Sequence, residues 1–214
     1  MRSLLLYAWL LILTCGNSYG QNVIDAKKDD INASPKYTAT PFKSNRNYVY
    51  TRHQYPDANG AGLIIINSFP KSGINYTAPN GEKYVYAVFW TQFTNEAKEP
   101  LELKIDFPVD SFELPSAPGN FIKLLIPSDT MTLEKTTKFD YGLNVKTFLD
   151  NGRHKSSSLK RVIKPKESNS FYVVPLSNRG VNGTLRTEFY IKEQSLFYKI
   201  NDKEIYCGSI KIKN

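Results

Sequence analysis

The sequence predicts an all-β fold, an antiparallel β-sandwich over residues 46–214, and three observations carry that expectation. Apolar residues recur with period two in short stretches such as "PLELKIDF", the alternation of a strand with one buried and one solvated face. Clusters of Pro, Gly, Asn and Ser separate these stretches, and many short strands at regular spacing build sandwiches or small barrels. One stretch, Tyr84 to Phe93, is apolar on both faces, as a strand in the middle of a covered sheet must be.

Residues 1–20 read as a targeting segment. Arg2 precedes an unbroken run of ten apolar residues, Leu4 to Leu13, and Ser18 and Gly20 are small residues placed like a signal-peptidase site. Ten apolar residues fall short of the about 20 that span a bilayer. Residues 1–20 are therefore expected to be cut off between Gly20 and Gln21, leaving a mature chain with no transmembrane segment in the periplasm or outside the cell. "ILTC" offers a second reading, a lipoprotein tethered to the membrane through Cys15, although Thr14 is a poor fit before the cysteine. Residues 21–45 carry too little apolar surface to offset the entropy of ordering them. They are expected to form a flexible leader.

The strands follow in order. "NYVYTRHQY" places Tyr48, Tyr50 and Arg52 on one face, and "GLIIINSF" is a compact apolar run. "PDANG" reads as a turn from its composition; as a calcium loop it lacks the acidic residue that closes the site. "INYTAPNGEKYVYAVFWTQF" reads as a hairpin reversed at Asn80-Gly81, and "TNEAKEP" as the polar turn into "PLELKIDF". Further strands are expected at "NFIKLLI", "TMTLEK", "LNVKTFL", "LKRVI", "SFYVVPL", "TLRTEFYI", "SLFYKI" and "EIYCGSIKI".

The stretch "YAVFWTQFTNEAKEPLELKIDFP", followed by "VIKPKESNSFYVV", resembles the layout of immunoglobulin-like β-sandwich modules in exported bacterial proteins. In those modules a polar turn beginning with Asn joins two core strands, and a Pro-x-Glu turn precedes a return strand. The resemblance implies a fold and no activity, since function lives in sites grafted onto folds.

Composition narrows the chemistry. Once Cys15 is removed, Cys207 is the remaining cysteine, so no internal disulfide forms. In a strand-like setting Cys207 reads as a small buried hydrophobe, and the two histidines, His53 and His154, fall in polar stretches that read as turns. There is no His-Glu-x-x-His, Gly-x-Ser-x-Gly, Gly-x-x-x-x-Gly-Lys or Cys-x-x-Cys, so the usual zinc, acyl-transfer, nucleotide and redox signals are missing. No cofactor, metal site or catalytic residue is assigned. The enzymatic alternative is a carbohydrate-active enzyme using Asp106, Asp110, Glu113 and Asp129 around "FPVDSFELPSAPG", which would need two carboxyls about 5–10 Å apart.

The chain carries 28 Lys+Arg against 20 Asp+Glu, a positive balance that attracts anions. In an exported protein nucleic acid is not the expected partner. Two features suit a protein or glycan in the cell envelope: the face of Tyr48, Tyr50 and Arg52, and the basic run "RHKSSSLKRVIKPK", with Arg153, Lys155, Lys160 and Arg161. Flat aromatic faces suit sugar rings, and guanidinium groups meet carboxylates in pairs. The expected function is that of an exported, non-catalytic binding module. Three Asn-x-Ser/Thr patterns, at Asn32, Asn75 and Asn182, would matter in a eukaryotic secretory pathway.

Overall fold

A computed structural model describes residues 48–57, 60, 62–155 and 157–212. The Gly20–Gln21 cleavage point, the Cys15 anchor and the 21–45 leader lie outside the described residues. None of the helices in the described residues is long and apolar enough to cross a membrane.

Twelve strands among the described residues form two antiparallel sheets. The larger sheet runs β1 (Val49–Pro56), β2 (Gly62–Ser68), β4 (Lys83–Asn95), β9 (Ser168–Ser177), β7 (Ala117–Leu125) and β6 (Phe112–Leu114), with β3 (Lys71–Thr77) also paired to β4. The smaller runs β10 (Thr187–Lys192), β11 (Ser195–Ile200), β12 (Lys203–Ile212), β5 (Leu101–Asp106) and β8 (Ser158–Ile163). Leu101, Leu103 and Ile105 of the small sheet and Ile65, Phe93 and Phe171 of the large one belong to a single apolar cluster. The arrangement is thus sandwich-like, as the alternation in "PLELKIDF" requires.

A second cluster lies on the other side of the large sheet. Tyr86, Val88 and Trp90 of β4 and Tyr172 and Val174 of β9 pack under Met131, Tyr141, Leu143, Val145 and Leu149. These covering residues belong to two 3-10 turns, Leu133–Thr137 and Phe139–Gly142, to the α-helix α1 (Val145–Gly152) and to the residues flanking them. Both faces of β4 are therefore covered, which accounts for its two-sided apolar pattern; Val88, Phe89 and Trp90 are all buried.

Two expected strands are absent. "TMTLEK" holds one bridge, Thr130 to Phe171, and then enters the first 3-10 turn; "LNVKTFL" becomes α1. The reason is visible locally. Val145 and Leu149 are four apart and both buried, so one helical face meets the sheet. Asn144 supplies the N-cap by accepting a hydrogen bond from the Thr147 amide. The hairpin reversal also differs from expectation in detail: Gly81 has φ +85° while Asn80 stays at negative φ, and the turn closes through Gly81 N–H to Ala78 O at 2.9 Å. "PDANG" does turn, through Gly60 N–H to Asp57 O at 3.0 Å.

The outer edge of β10 is closed by side chains of the opposite sheet. Asn67, buried in β2, donates from Nδ2 to Phe189 O (3.1 Å) and to Thr51 Oγ1 (3.0 Å), while its Oδ1 accepts from Phe189 N (2.9 Å) and Thr91 Oγ1 (3.1 Å). Tyr55 Oη accepts from Ile191 N at 2.8 Å. One amide side chain thus takes the place of a neighbouring strand for Phe189, and β10 is protected from pairing with another chain.

His53 lies beside this seam. It is a buried residue of β1, in a strand rather than the turn its polar surroundings suggest, and its Nε2 is 2.9 Å from Glu188 Oε2. Burial of Glu188 raises its carboxyl pKa, but the hydrogen bond and charge of His53, then Lys199 and Thr51, outweigh it and hold the group below the ordinary carboxylate value. An unfolded chain then binds more protons in acid than the folded one, so stability rises with pH there. The contribution is present above the ordinary glutamate value and lost as pH falls through the lower folded value. Glu188→Gln is expected to flatten the acid decline of the unfolding free energy below that pH. Urea unfolding across a pH series checks this; equal slopes in the two proteins would exclude Glu188 from the acid response.

Cys207 fills the core between the sheets, with its Sγ donating to Leu196 O at 3.4 Å. Burial pushes its thiol pKa up, which disfavours the thiolate that a nucleophile needs.

Candidate functional site

The β3–β4 hairpin and the C-terminal turn of α1 build the most differentiated surface of the molecule. Tyr76 and Tyr84 are opposite one another in register and stack with centroids 6.2 Å apart. Tyr76 donates to Asp150 Oδ1 and Tyr84 to Glu82 Oε2, each at 2.8 Å. Lys146, four residues before Asp150, pairs with it at 2.6 Å. The Lys146 hydrogen bond, then that of Tyr76, holds Asp150 below its usual value; Asn80 and then Tyr84 do the same for Glu82. Burial, reinforced by the carboxylate partners, raises both tyrosine pKa values.

Arg153 is placed at this point by the helix itself. As the C-cap of α1 its amide donates to Leu149 O at 3.3 Å, and a cation there complements the negative end of the helix. Its positive charge bears on Tyr76, Tyr84, Glu82 and Asp150. The residue is 9% exposed, yet its Nε has no hydrogen-bond partner. A buried donor without an acceptor costs about 1–3 kcal/mol.

Beside Arg153 lies a cleft of about 270 Å³, lined by Tyr84, Val109, Asp110, Ser111, Phe121, Lys123, Arg153, His154, Leu176 and Asn178. Val109 and Phe121 are 56% and 45% exposed. Asn178 holds the wall in place, accepting from Phe121 N (2.9 Å) and donating to Gly119 O (3.1 Å). On the other side of the same helical turn, a cleft of about 420 Å³ is lined by polar residues that include Asp129, Asn144, Asn151 and Lys155, together with Phe148. A third, of about 290 Å³, is mainly apolar and sits under residues 179–185, between Val85, Ala87, Ile122 and Pro175.

The basic run divides between separate elements. Arg153 is in the first cleft and Lys155 in the second. Lys160 and Arg161 are on the edge strand β8, where Lys160 pairs with Glu102 at 2.7 Å and Arg161 donates to the Lys160 carbonyl at 2.9 Å. The β1 residues are half-buried and engaged. Lys71 Nζ lies 5.1 Å from the Tyr48 ring centroid. Tyr50 packs on Phe69 with Arg186 over both rings, and Arg52 donates to Gln54 Oε1 at 2.8 Å.

The loop acids are likewise dispersed. Asp110 lines the first cleft and Asp129 the second; Asp106 is exposed on β5, and Glu113 of β6 accepts from the Gly119 amide. Among the described residues no three His, Cys, Asp or Glu side chains are grouped to hold a metal ion.

Sequence reasoning named Arg153 as a binding residue and Asp110 for the enzymatic alternative, and did not name Tyr84, Phe121, Lys123 or Asn178, which line the same cleft. For Tyr84 a signal existed, because Tyr76 and Tyr84 flank "TAPNGEK" symmetrically and a hairpin must set them opposite. It also missed the cross-strand row of Tyr190, Phe197 and Tyr206 on the small sheet, with centroids 5.9 and 5.8 Å apart. Lys192 lies over the first two of these rings. Comparison with protein-family models, curated proteins and solved structures gave no match.

Proposed function

We propose that this chain is an exported, non-catalytic module of the cell envelope or extracellular space, built on an immunoglobulin-like sandwich, that binds a protein or glycan at the cleft beside α1. The observation that carries the reading is the cleft in which Asp110, Lys123 and Arg153 converge beside the exposed Phe121. A concave site with apolar rings and a few convergent polar groups is the usual form of a ligand site. The immunoglobulin-like assignment draws support from Asn95, where the two stretches that carry the resemblance meet. Asn95 N donates to Glu167 O at 3.0 Å, and Lys166 N donates to Asn95 O at 2.7 Å.

The test is an array of acidic and neutral polysaccharides probed with the protein, alongside retention of envelope proteins on the immobilised chain. Binding is expected to weaken about tenfold in Phe121→Ala, equivalent to about 1.4 kcal/mol. Loss of binding in Arg52→Ala with Phe121→Ala unaffected would move the site to β1. Retention of neither polysaccharide nor protein would overturn the reading.

A further inference from the structure

Resting on that reading, we infer that the cleft beside α1 is a subsite for a single sugar ring of a glycan, with Phe121 as the stacking surface and Asp110, Lys123, Arg153 and His154 as its polar contacts.

Size is the first argument. At about 270 Å³ the cleft lies just under the ~300 Å³ lower end of ordinary small-molecule sites. Its volume suits one ring-sized group.

The second argument separates a sugar from a peptide. A peptide added to a sheet edge uses unpaired backbone groups. On the Phe121 wall those groups are already answered: Phe121 N and Gly119 O both bond to the Asn178 side chain, so recognition on that wall is left to side chains.

The side chains present suit vicinal hydroxyls, which offer donor and acceptor together. Arg153 lines the cleft and carries a guanidinium, which only donates. Asp110 and Lys123 both line the cleft and supply an acceptor and a donor there. Charges of both signs line the cleft, so it is matched to a hydroxylated ligand and needs no net charge on it. The exposed ring of Phe121 offers an apolar face to the C–H side of a pyranose.

The test is a chemical-shift titration of the isotopically labelled protein with the methyl glycosides of glucose, galactose, N-acetylglucosamine and glucuronate. At least one is expected to give saturable shifts centred on residues 109–111, 121–123 and 153–154, with affinity about tenfold lower in the exposed-site variant Phe121→Ala. Arg153→Lys keeps the charge but removes the forked donor and is expected to weaken binding similarly. Because Arg153 is buried, its variant is judged only if the spectrum shows a folded protein, and Phe121→Ala carries the test by itself. Saturable shifts confined to another face, binding unchanged in Phe121→Ala, or no shift with any of the four would each overturn the inference. An envelope protein retained through this cleft without any sugar shift would overturn it and leave the binding-module reading standing.

Discussion

Replacing Asn67 by alanine is expected to lower the unfolding free energy by about 4 kcal/mol, among the largest effects of any single polar substitution. Asn67 is 2% exposed and makes four hydrogen bonds, two of them to the backbone of Phe189 in the opposite sheet. Alanine leaves Phe189 N and O buried without partners, at about 1–3 kcal/mol for each orphaned group. In a domain of this size that corresponds to a fall in Tm of about 10 °C. Thr91→Val removes one of the four bonds and leaves the others, so its expected cost is about 1 kcal/mol. Thermal unfolding of the two variants distinguishes the seam from ordinary side-chain loss. A deficit under about 1 kcal/mol for Asn67→Ala would show that the seam contributes little. A second readout is association: with its cap gone the β10 edge offers free backbone groups, and sedimentation is expected to show concentration-dependent self-association of Asn67→Ala alone.

Asn95→Ala is expected to cost about 3 kcal/mol, through a different connection. Asn95 is fully buried, donates from Nδ2 to Glu99 O (2.8 Å) and Ile163 O (2.9 Å), and accepts at Oδ1 from Ala97 N (2.9 Å). Those bonds fix the β4–β5 turn and fasten it to the end of β8. Loss of the side chain orphans three backbone groups. Hydrogen exchange is expected to quicken first at residues 97–99 and 163–167, ahead of the sheet interiors. Asn95→Asp is a sharper probe, because a carboxylate would face the carbonyls of Glu99 and Ile163 in a buried site. Burial raises such a group's pKa, so the deficit of Asn95→Asp relative to the parent is expected to shrink as pH falls and the acid gains a proton to donate. A deficit independent of pH would mean that the site is open to water.

Much of the sheet was legible in the residues. β5 alternates because one face meets the core and the other meets water, and no distant residue is needed to read that. β4 is apolar on both faces, and that pattern announced cover on each side without saying what the covers were. One proved to be the second sheet and the other the helical segment around α1. That segment was misread as strand because Leu143, Val145, Phe148 and Leu149 fit either period over so short a run. The cap at Asn144 was the local sign of a helix.

The candidate site was legible only in parts. Arg153 stood out as a cation after a polar stretch, and Asp110 as an acid in a proline-rich loop. Nothing in the local sequence of Phe121 told that it would be exposed beside them, because its position follows from the pairing of β7 with β9 and from Asn178 holding its amide.

By itself, then, the amino-acid order determined the all-β class, the central place of β4, the half-buried β5 and the hairpin turn at Gly81. Each depends on burial period or on a backbone angle that neighbouring residues set. Tertiary structure alone decided that 131–152 would fold as cover for the large sheet. It also placed His53 and Asn67 at the seam with β10, and closed a cleft around Arg153. Those outcomes depend on partners 50 to 135 residues apart in order of chain, such as Asn67 with Phe189 and His53 with Glu188. Hydrogen bonds and buried contacts between such residues exist only after the sheets have met, and no local pattern encodes them.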